Sequence, residues 1–246
     1  MINKRVVIIG GGAAGMAAAI SCYQKGERDI LILEQYEHLG GILSQCIHSG
    51  FGLETFKEEL SGPEYASRYE DLVKKYKIEV KYRARAVNLT PDRVLTYTSP
   101  DDGVCKIKCG TIILASGSYE RPSGHIAMNG DRVSGIYTAG TAQRLLNIHG
   151  YLVGKRVVII GSGDIGLIMA RRLTLEGAKV LAVSEIMPYS NGLKRNMTQC
   201  LDDFNIPLYL SHTIVDIKGK KRVESVVVAK VDENRKPIKG TEKEYK

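Results

Sequence analysis

Two glycine fingerprints stand 151 residues apart in this chain, Gly10-Gly11-Gly12-Ala13-Ala14-Gly15 and Gly161-Ser162-Gly163-Asp164-Ile165-Gly166. Each follows a short run rich in Val and Ile and opens a stretch of helical spacing. In both copies a glutamate falls 24 residues after the first glycine, Glu34 behind Ile30-Leu31-Ile32-Leu33 and Glu185 behind Val180-Leu181-Ala182-Val183-Ser184. A lone G-x-G-x-x-G also serves ordinary turns, but two copies with strand, helix and acid in one register predict two units that each hold a dinucleotide.

The chemistry of such a site dictates the residue types. The first glycine lets the strand turn sharply, the second lets the backbone approach a pyrophosphate, and the third lets the helix pack closely on the sheet. The pyrophosphate then meets helix N–H groups that lack internal partners, at the positive end of the helix dipole. On this reading Gly10, Gly12, Ala13, Ala14 and Gly15 cradle one pyrophosphate, and Gly161, Gly163, Asp164, Ile165 and Gly166 the other. Glu34 and Glu185 accept hydrogen bonds from ribose hydroxyls. A 2′-phosphate beside Glu185 would meet like charge, so the second site is expected to take NAD rather than NADP. Asp164 has a second reading as a simple helix cap.

Composition is that of a globular α/β enzyme. At 246 residues, 43% hydrophobic and 25% charged, the chain can bury a substantial core in one or two domains. No apolar run approaches the roughly 20 residues of a membrane span, and residues 1–5 lead directly into the first strand, so a cytoplasmic location is expected. The five cysteines make neither an even disulfide framework nor a metal signature. Cys105 and Cys109 share a strand face without a histidine or second pair, so no metal site is expected. The net charge is +8, and residues 217–246 carry ten Lys or Arg against five Asp or Glu. A basic hairpin edge of this kind reads as a solvated surface that resists aggregation before it reads as a nucleic-acid patch.

Periodicity predicts a strand at 5–9, a helix at 13–25, a strand at 29–33 and a helix at 63–76. An antiparallel meander is expected at 79–88, 93–98 and 104–107, and a buried strand at 111–118 ends in small residues that allow close approach to a cofactor. The second unit is expected as helix 139–148, strand 157–160, helix 164–176, strand 179–183, helix 193–204 and strands 208–210, 213–218 and 223–231. The fold class is α/β, with two three-layer Rossmann-like units, the second inserted into the first, and boundaries at 1–120 and 121–246.

In this order the motifs resemble the pyridine nucleotide-disulfide oxidoreductase superfamily, flavoproteins that bind two dinucleotides. The resemblance implies FAD at the first fingerprint and NAD(P) at the second. Ala115-Ser116-Gly117 stands where the superfamily carries its A-T-G motif, which places Ser116 and Gly117 against FAD. It also implies that Gly41 passes the phosphates or ribityl chain and that Val87 contacts the adenine. More narrowly, residues 40–52 (GGILSQCIHSGFG), residues 60–66 (LSGPEYA) and Thr138-Ala139-Gly140-Thr141-Ala142-Gln143 resemble a bacterial subgroup. Its members are NAD/FAD-dependent dehydrogenases encoded beside glycerol-3-phosphate dehydrogenase, related to opine oxidase and cyanide synthase subunits.

Two departures shape the expectations. Disulfide reductases carry a redox pair after the Gly-Gly turn, whereas this chain has only Cys46, so disulfide reduction is not implied. The strand ending in Gly-Asp that closes the superfamily's FAD site has no counterpart after Val231, and residues 237–243 look like the approach to the last strand of the nicotinamide domain. A C-terminally truncated chain with weak FAD retention is therefore expected. Cys46 and His48 lie two apart in a glycine-flanked loop and have two readings: a thiolate–imidazolium pair that tunes the flavin, or a packed cysteine beside a surface histidine.

The leading function is hydride transfer between NAD(H) and FAD, with electrons passed to a partner dehydrogenase or small redox subunit. The second class is a substrate-oxidising dehydrogenase subunit for an amine, an opine or a glycerol-3-phosphate-related compound, and the third an FAD-dependent tRNA-modifying protein. A homo-oligomer is left open.

Overall fold

The computed structural model describes residues 2–126 and 128–246. Its backbone divides into two consecutive units, Met1–Tyr119 and Glu120–Lys246. The first opens with β1 (Ile2–Ile9), α1 (Ala13–Gln24) and β2 (Ile30–Leu33). β1 and β2 run parallel, with Val6 beside Ile30 and Ile9 beside Leu33, the pairing a crossover helix permits. A small hairpin of β3 (Ser49–Phe51) and β4 (Leu60–Ser61) precedes α2 (Gly62–Lys75). α2 begins where a capping box predicts it. The Glu64 carboxylate accepts the Ser61 N–H at 2.8 Å and the Ser61 hydroxyl at 2.7 Å, with Pro63 in the first turn.

β5 (Glu79–Lys81), β6 (Arg85–Leu89), β7 (Val94–Ser99) and β8 (Gly103–Leu114) complete a sheet of order β5-β2-β1-β8-β7-β6. β8 belongs to two arrangements. Its first half pairs antiparallel with β7, from Gly103 beside Ser99 to Lys108 beside Val94, and its second half runs parallel to β1 as far as Leu114 beside Ile9. The expected strands at 104–107 and 111–118 are thus largely one. The expected strand 79–88 is instead two, because Arg83 turns the chain at φ 53°. β5 extends the parallel sheet beside β2, and β6 opens the meander.

Val7 and Ile8 are both fully buried although their side chains leave opposite faces of β1. Ile8 packs with Met16, Ala19 and Ile32 on the helical side, while Val7 packs with Leu31, Leu95, Tyr97 and Ile107 on the meander side. Helices, parallel strands and meander form the three layers of the unit.

The second unit contains α3 (Ala139–Asn147), β9 (Arg156–Ile160), α4 (Asp164–Leu175), β10 (Lys179–Glu185), α5 (Lys194–Cys200) and β11 (Leu208–Leu210). Its parallel sheet has the order β11-β10-β9. Leu167, Ala170 and Leu173 of α4 pack against Val180 and Val183 in its core. β12 (His212–Gly219), β13 (Val223–Lys230) and β14 (Lys243–Tyr245) form an antiparallel meander. Residues 237–243, expected to approach a last nicotinamide-domain strand, lead into β14, the third strand of this meander, where Tyr245 pairs with Val226. The expected helix 193–204 stops at Cys200, and a single 3-10 turn follows it. Among the described residues no helix is long and apolar enough to cross a membrane.

Candidate functional site

Both fingerprints leave the carboxyl end of a parallel strand, where open α/β sheets bind ligands. The Gly10 N–H donates to the Leu33 carbonyl at 2.9 Å, and the Gly161 N–H to the Ser184 carbonyl at 2.7 Å. The third glycine of each is required by contact. A β-carbon at Gly15 would overlap the Gly10 carbonyl oxygen, and one at Gly166 would stand 2.7 Å from the Gly161 oxygen. At Gly10, whose φ is +104°, a side chain would strike the Ala115 carbonyl. The Ala115 N–H donates to the Ile9 carbonyl at 2.8 Å, so β8 delivers Ser116 and Gly117 to the edge of the first fingerprint.

The second glycines behave in the opposite way. A β-carbon at Gly163 would meet nothing within 4 Å, and at Gly12 the nearest atom would be the Gly41 Cα at 3.9 Å. Gly41 is held there by its neighbour, since the Gly40 N–H donates to the Gly11 carbonyl at 2.9 Å. Gly12 and Gly163 are the N-cap residues of α1 and α4, and neither helix has a side chain capping its first N–H groups. Ala13 and Ala14 add no bulk to the first turn, and Ile165 is 38% exposed. Uncapped N–H groups facing open backbone suit a pyrophosphate. Asp164 does not compete for that position. Its Oδ1 accepts the Leu193 N–H and the Asn196 amide, both at 2.8 Å, and so ties α4 to the start of α5.

The glutamates complete each clasp. The Gly11 N–H donates to Glu34 Oε2 at 2.7 Å and the Tyr36 N–H to Oε1 at 2.8 Å. In the second unit the Ser162 N–H donates to Glu185 Oε2 at 2.9 Å and the Met187 N–H to Oε1 at 2.9 Å. Glu34 and Glu185 are only 3% and 5% exposed, so these bonds are what makes burial of a carboxylate tolerable. Each clasp joins the second residue of a fingerprint to the acid 23 positions later.

Of the two readings of Cys46 and His48, the structure matches the packed cysteine. The pairing of Cys46 with His48 is not formed. Cys46 is 5% exposed, and burial pushes its thiol up from the ordinary cysteine range, against the direction a thiolate requires. His48 lies with Nδ1 3.0 Å from the Ser49 carbonyl oxygen and its ring 5.3 Å from that of Phe51. Val87 sits within β6 with its side chain 56% exposed, whereas Arg83 and Ala84 border the Glu34 segment. The Ala84 N–H donates to the Glu34 carbonyl at 2.8 Å and the Arg83 N–H to the Tyr36 carbonyl at 3.0 Å. Sequence reading missed this pair because the turn rests on a positive φ at an arginine. It also missed the Ser162 hydroxyl, which donates to Glu185 Oε2 at 2.8 Å. The departure from glycine at the second fingerprint position was its only signal.

Comparison with known proteins agrees with this geometry. The family model described as pyridine nucleotide-disulphide oxidoreductase matches residues 4–240. The "NAD(P)H sulfur oxidoreductase (CoA-dependent)" of Pyrococcus abyssi is 29% identical over 239 residues, covering 92% of this chain and 50% of that protein. The hydrogen cyanide synthase subunit HcnB of Pseudomonas protegens is 26% identical, covering 94% of this chain and 52% of that subunit. The chain thus spans about half the length of these relatives. Among solved structures, thioredoxin reductase of T. acidophilum superposes with a TM-score of 0.71 at 22% identity, over 100% of this chain and 74% of that one. Bacillithiol disulfide reductase of Bacillus cereus gives 0.73 at 18% identity, over 99% and 75%.

Proposed function

Because the chain belongs to the pyridine nucleotide-disulphide oxidoreductase family, we propose that it is the dinucleotide-binding part of an FAD-dependent oxidoreductase that moves hydride between NAD(H) and FAD. One observation carries the reading. The same buried clasp, backbone N–H to glutamate across 23 positions, occurs once in each unit at 2.7 and 2.9 Å. Gly10, Gly12, Ala13, Ala14, Gly15, Gly41, Ser116 and Gly117 would line the FAD site, with Glu34 on the adenosine ribose and Ala84 beside it. Gly161, Gly163, Ile165, Gly166 and Glu185 would hold NAD, and the charge on Glu185 disfavours a 2′-phosphate. The bound flavin and nicotinamide supply the redox chemistry, and the chain orients them and limits water.

Electrons are proposed to pass to a partner protein, in an enzyme of the glycerol-operon-associated subgroup working in the cytoplasm. Residues 40–52 and 60–66, which carry that resemblance, fold into one structure in which the Gly62 N–H donates to the Cys46 carbonyl at 2.8 Å. A second reading, direct oxidation of an amine or opine by a multi-subunit enzyme, draws support from relatives named as components of a sarcosine oxidase and of an opine oxidase.

The test is the visible spectrum of the chain with added FAD, followed by anaerobic NADH titration. A flavin band that bleaches with NADH, and fails to form in Gly12→Val or to bleach in Glu185→Ala, supports the first reading. Bleaching by an amine or opine without NADH supports the second. A band that NADH never bleaches counts against hydride transfer between the two sites.

A further inference from the structure

Glu34 and Glu185 occupy equivalent places but differ as acceptors. An ionised carboxylate offers about four lone-pair sites. Glu34 receives one N–H bond on each oxygen, which leaves one site on each. Glu185 receives one on Oε1 from Met187, but Oε2 takes both the N–H and the hydroxyl of Ser162, at 2.9 and 2.8 Å. Oε2 is therefore filled, and only Oε1 keeps a free site. Ser162 is fully buried, so water does not compete for its hydroxyl. Glycine at position 11 offers no such donor.

We propose that Ser162 is a positioning residue that sets how firmly the second unit grips its dinucleotide. By filling one acceptor site, its hydroxyl leaves Glu185 a single oxygen for the adenosine ribose, where Glu34 keeps two and can take both hydroxyls of the diol. The inference rests on the reading of the second fingerprint as the NAD(H) site. It accounts for a difference in task between the two units. A redox cosubstrate must leave after each hydride transfer, while a flavin stays through many turnovers, and the site with fewer ribose bonds is the one that has to release its ligand.

The experiment is equilibrium binding of NADH to the whole chain and to Ser162→Ala and Ser162→Gly, with a parallel series using an NADH analogue that lacks the adenosine 2′-hydroxyl. Both variants free one charge-assisted acceptor, so NADH should bind about tenfold more tightly. The gain should vanish with the deoxy analogue, a selectivity that a merely structural role for Ser162 would not produce. In turnover, KM for NADH should fall while kcat does not rise. Unchanged or weaker NADH binding in both variants overturns the proposal but leaves the NAD assignment standing. Failure of the unsubstituted chain to bind NADH, or equal binding by Gly163→Val, sinks the assignment and the proposal together.

Discussion

The two units share the fingerprint turn and its clasp but differ in the segments packed against them. In the first, β1 is flanked by β2 on one side and β8 on the other, and Gly40–Gly41 lies against Gly12. In the second, β9 pairs with β10 alone among the described strands. The segment over its fingerprint comes from residues 190–196, through the Ser190 hydroxyl on the Ser162 carbonyl at 3.0 Å and the Asp164 bonds. Charge separates them as well. Residues 1–119 hold 15 Lys or Arg against 14 Asp or Glu, and residues 120–246 hold 20 against 13, so nearly all of the net +8 belongs to the second unit. The fingerprint thus specifies the turn and the clasp, while neighbouring segments decide how tightly each site is packed.

The largest contrast should come from the glycines. Gly15→Ala places a methyl group on the Gly10 carbonyl, a backbone atom that cannot move aside, whereas Gly163→Ala meets open space. Overpacking of this kind costs about 1–3 kcal/mol or more, so Gly15→Ala should lower the thermal midpoint of the first unit by several degrees and release flavin. Gly163→Ala should leave the midpoint nearly unchanged while weakening NADH binding. Calorimetry beside ligand titration checks both, and equal destabilisation by the two substitutions would break the comparison.

Next in size are the acids. In Glu34→Gln and Glu185→Gln an amide nitrogen must face a backbone N–H, because both carboxylate oxygens of each acid already accept one. A buried donor left opposed costs about 1–3 kcal/mol. Glu185→Gln should cost at least as much as Glu34→Gln, since it has the additional Ser162 hydroxyl to satisfy. Denaturant midpoints with and without ligand measure the difference, and a harmless Glu185→Gln would mean that the clasp does not stabilise the second unit.

The bonds of Glu34 and Glu185 to the Gly11 and Ser162 N–H groups were not legible in the sequence, whereas the positions of the two acids were, because a strand, a tight turn, a helix and a return strand consume a nearly fixed number of residues. The glycine contacts were legible for the same reason. What the sequence hid depended on single dihedrals and on layers meeting. Alternation of side chains runs unbroken through residues 79–88, so nothing in the pattern announces the turn at Arg83 that sends β5 and β6 to different parts of the unit. The environment of Cys46 was equally hidden. Two residues close together in a loop give no measure of burial, and here α2, through Gly62, closes over the Cys46 backbone.

A smaller effect follows for the thiols. Burial raises the thiol pKa of Cys46, Cys109 and Cys200, while Cys22 and Cys105 are half-buried. With a neutral-pH alkylating reagent the native chain should lose Cys22 and Cys105 first, and Cys46 should react more slowly than a free peptide thiol. Mass spectrometry of the labelled peptides decides it. Rapid modification of Cys46 at neutral pH would restore the thiolate reading.

The smallest effect concerns the tie between parallel strand and meander in the first unit. Lys81 of β5 donates to Asp102 Oδ2 at 2.5 Å, and the Ser99 hydroxyl donates to the same oxygen at 2.9 Å. The Lys81 ammonium and then the Ser99 hydroxyl hold the Asp102 carboxyl below its ordinary value. A carboxyl with a depressed folded-state pKa contributes stability that is fully present above its unfolded value, near ~3.9, and is lost as pH falls through the folded value. Partial solvent exposure of both groups limits the contribution to a fraction of what a buried pair would give. Asp102→Asn should therefore lower the thermal midpoint slightly at pH 7, and the gap between the two proteins should narrow as pH falls through the depressed folded-state value. A gap that does not change with pH across the acid range would mean that Asp102 acts through the shape of the β7–β8 turn, which its bond to Ser99 also shapes, and the charge tie between the layers would then count for nothing.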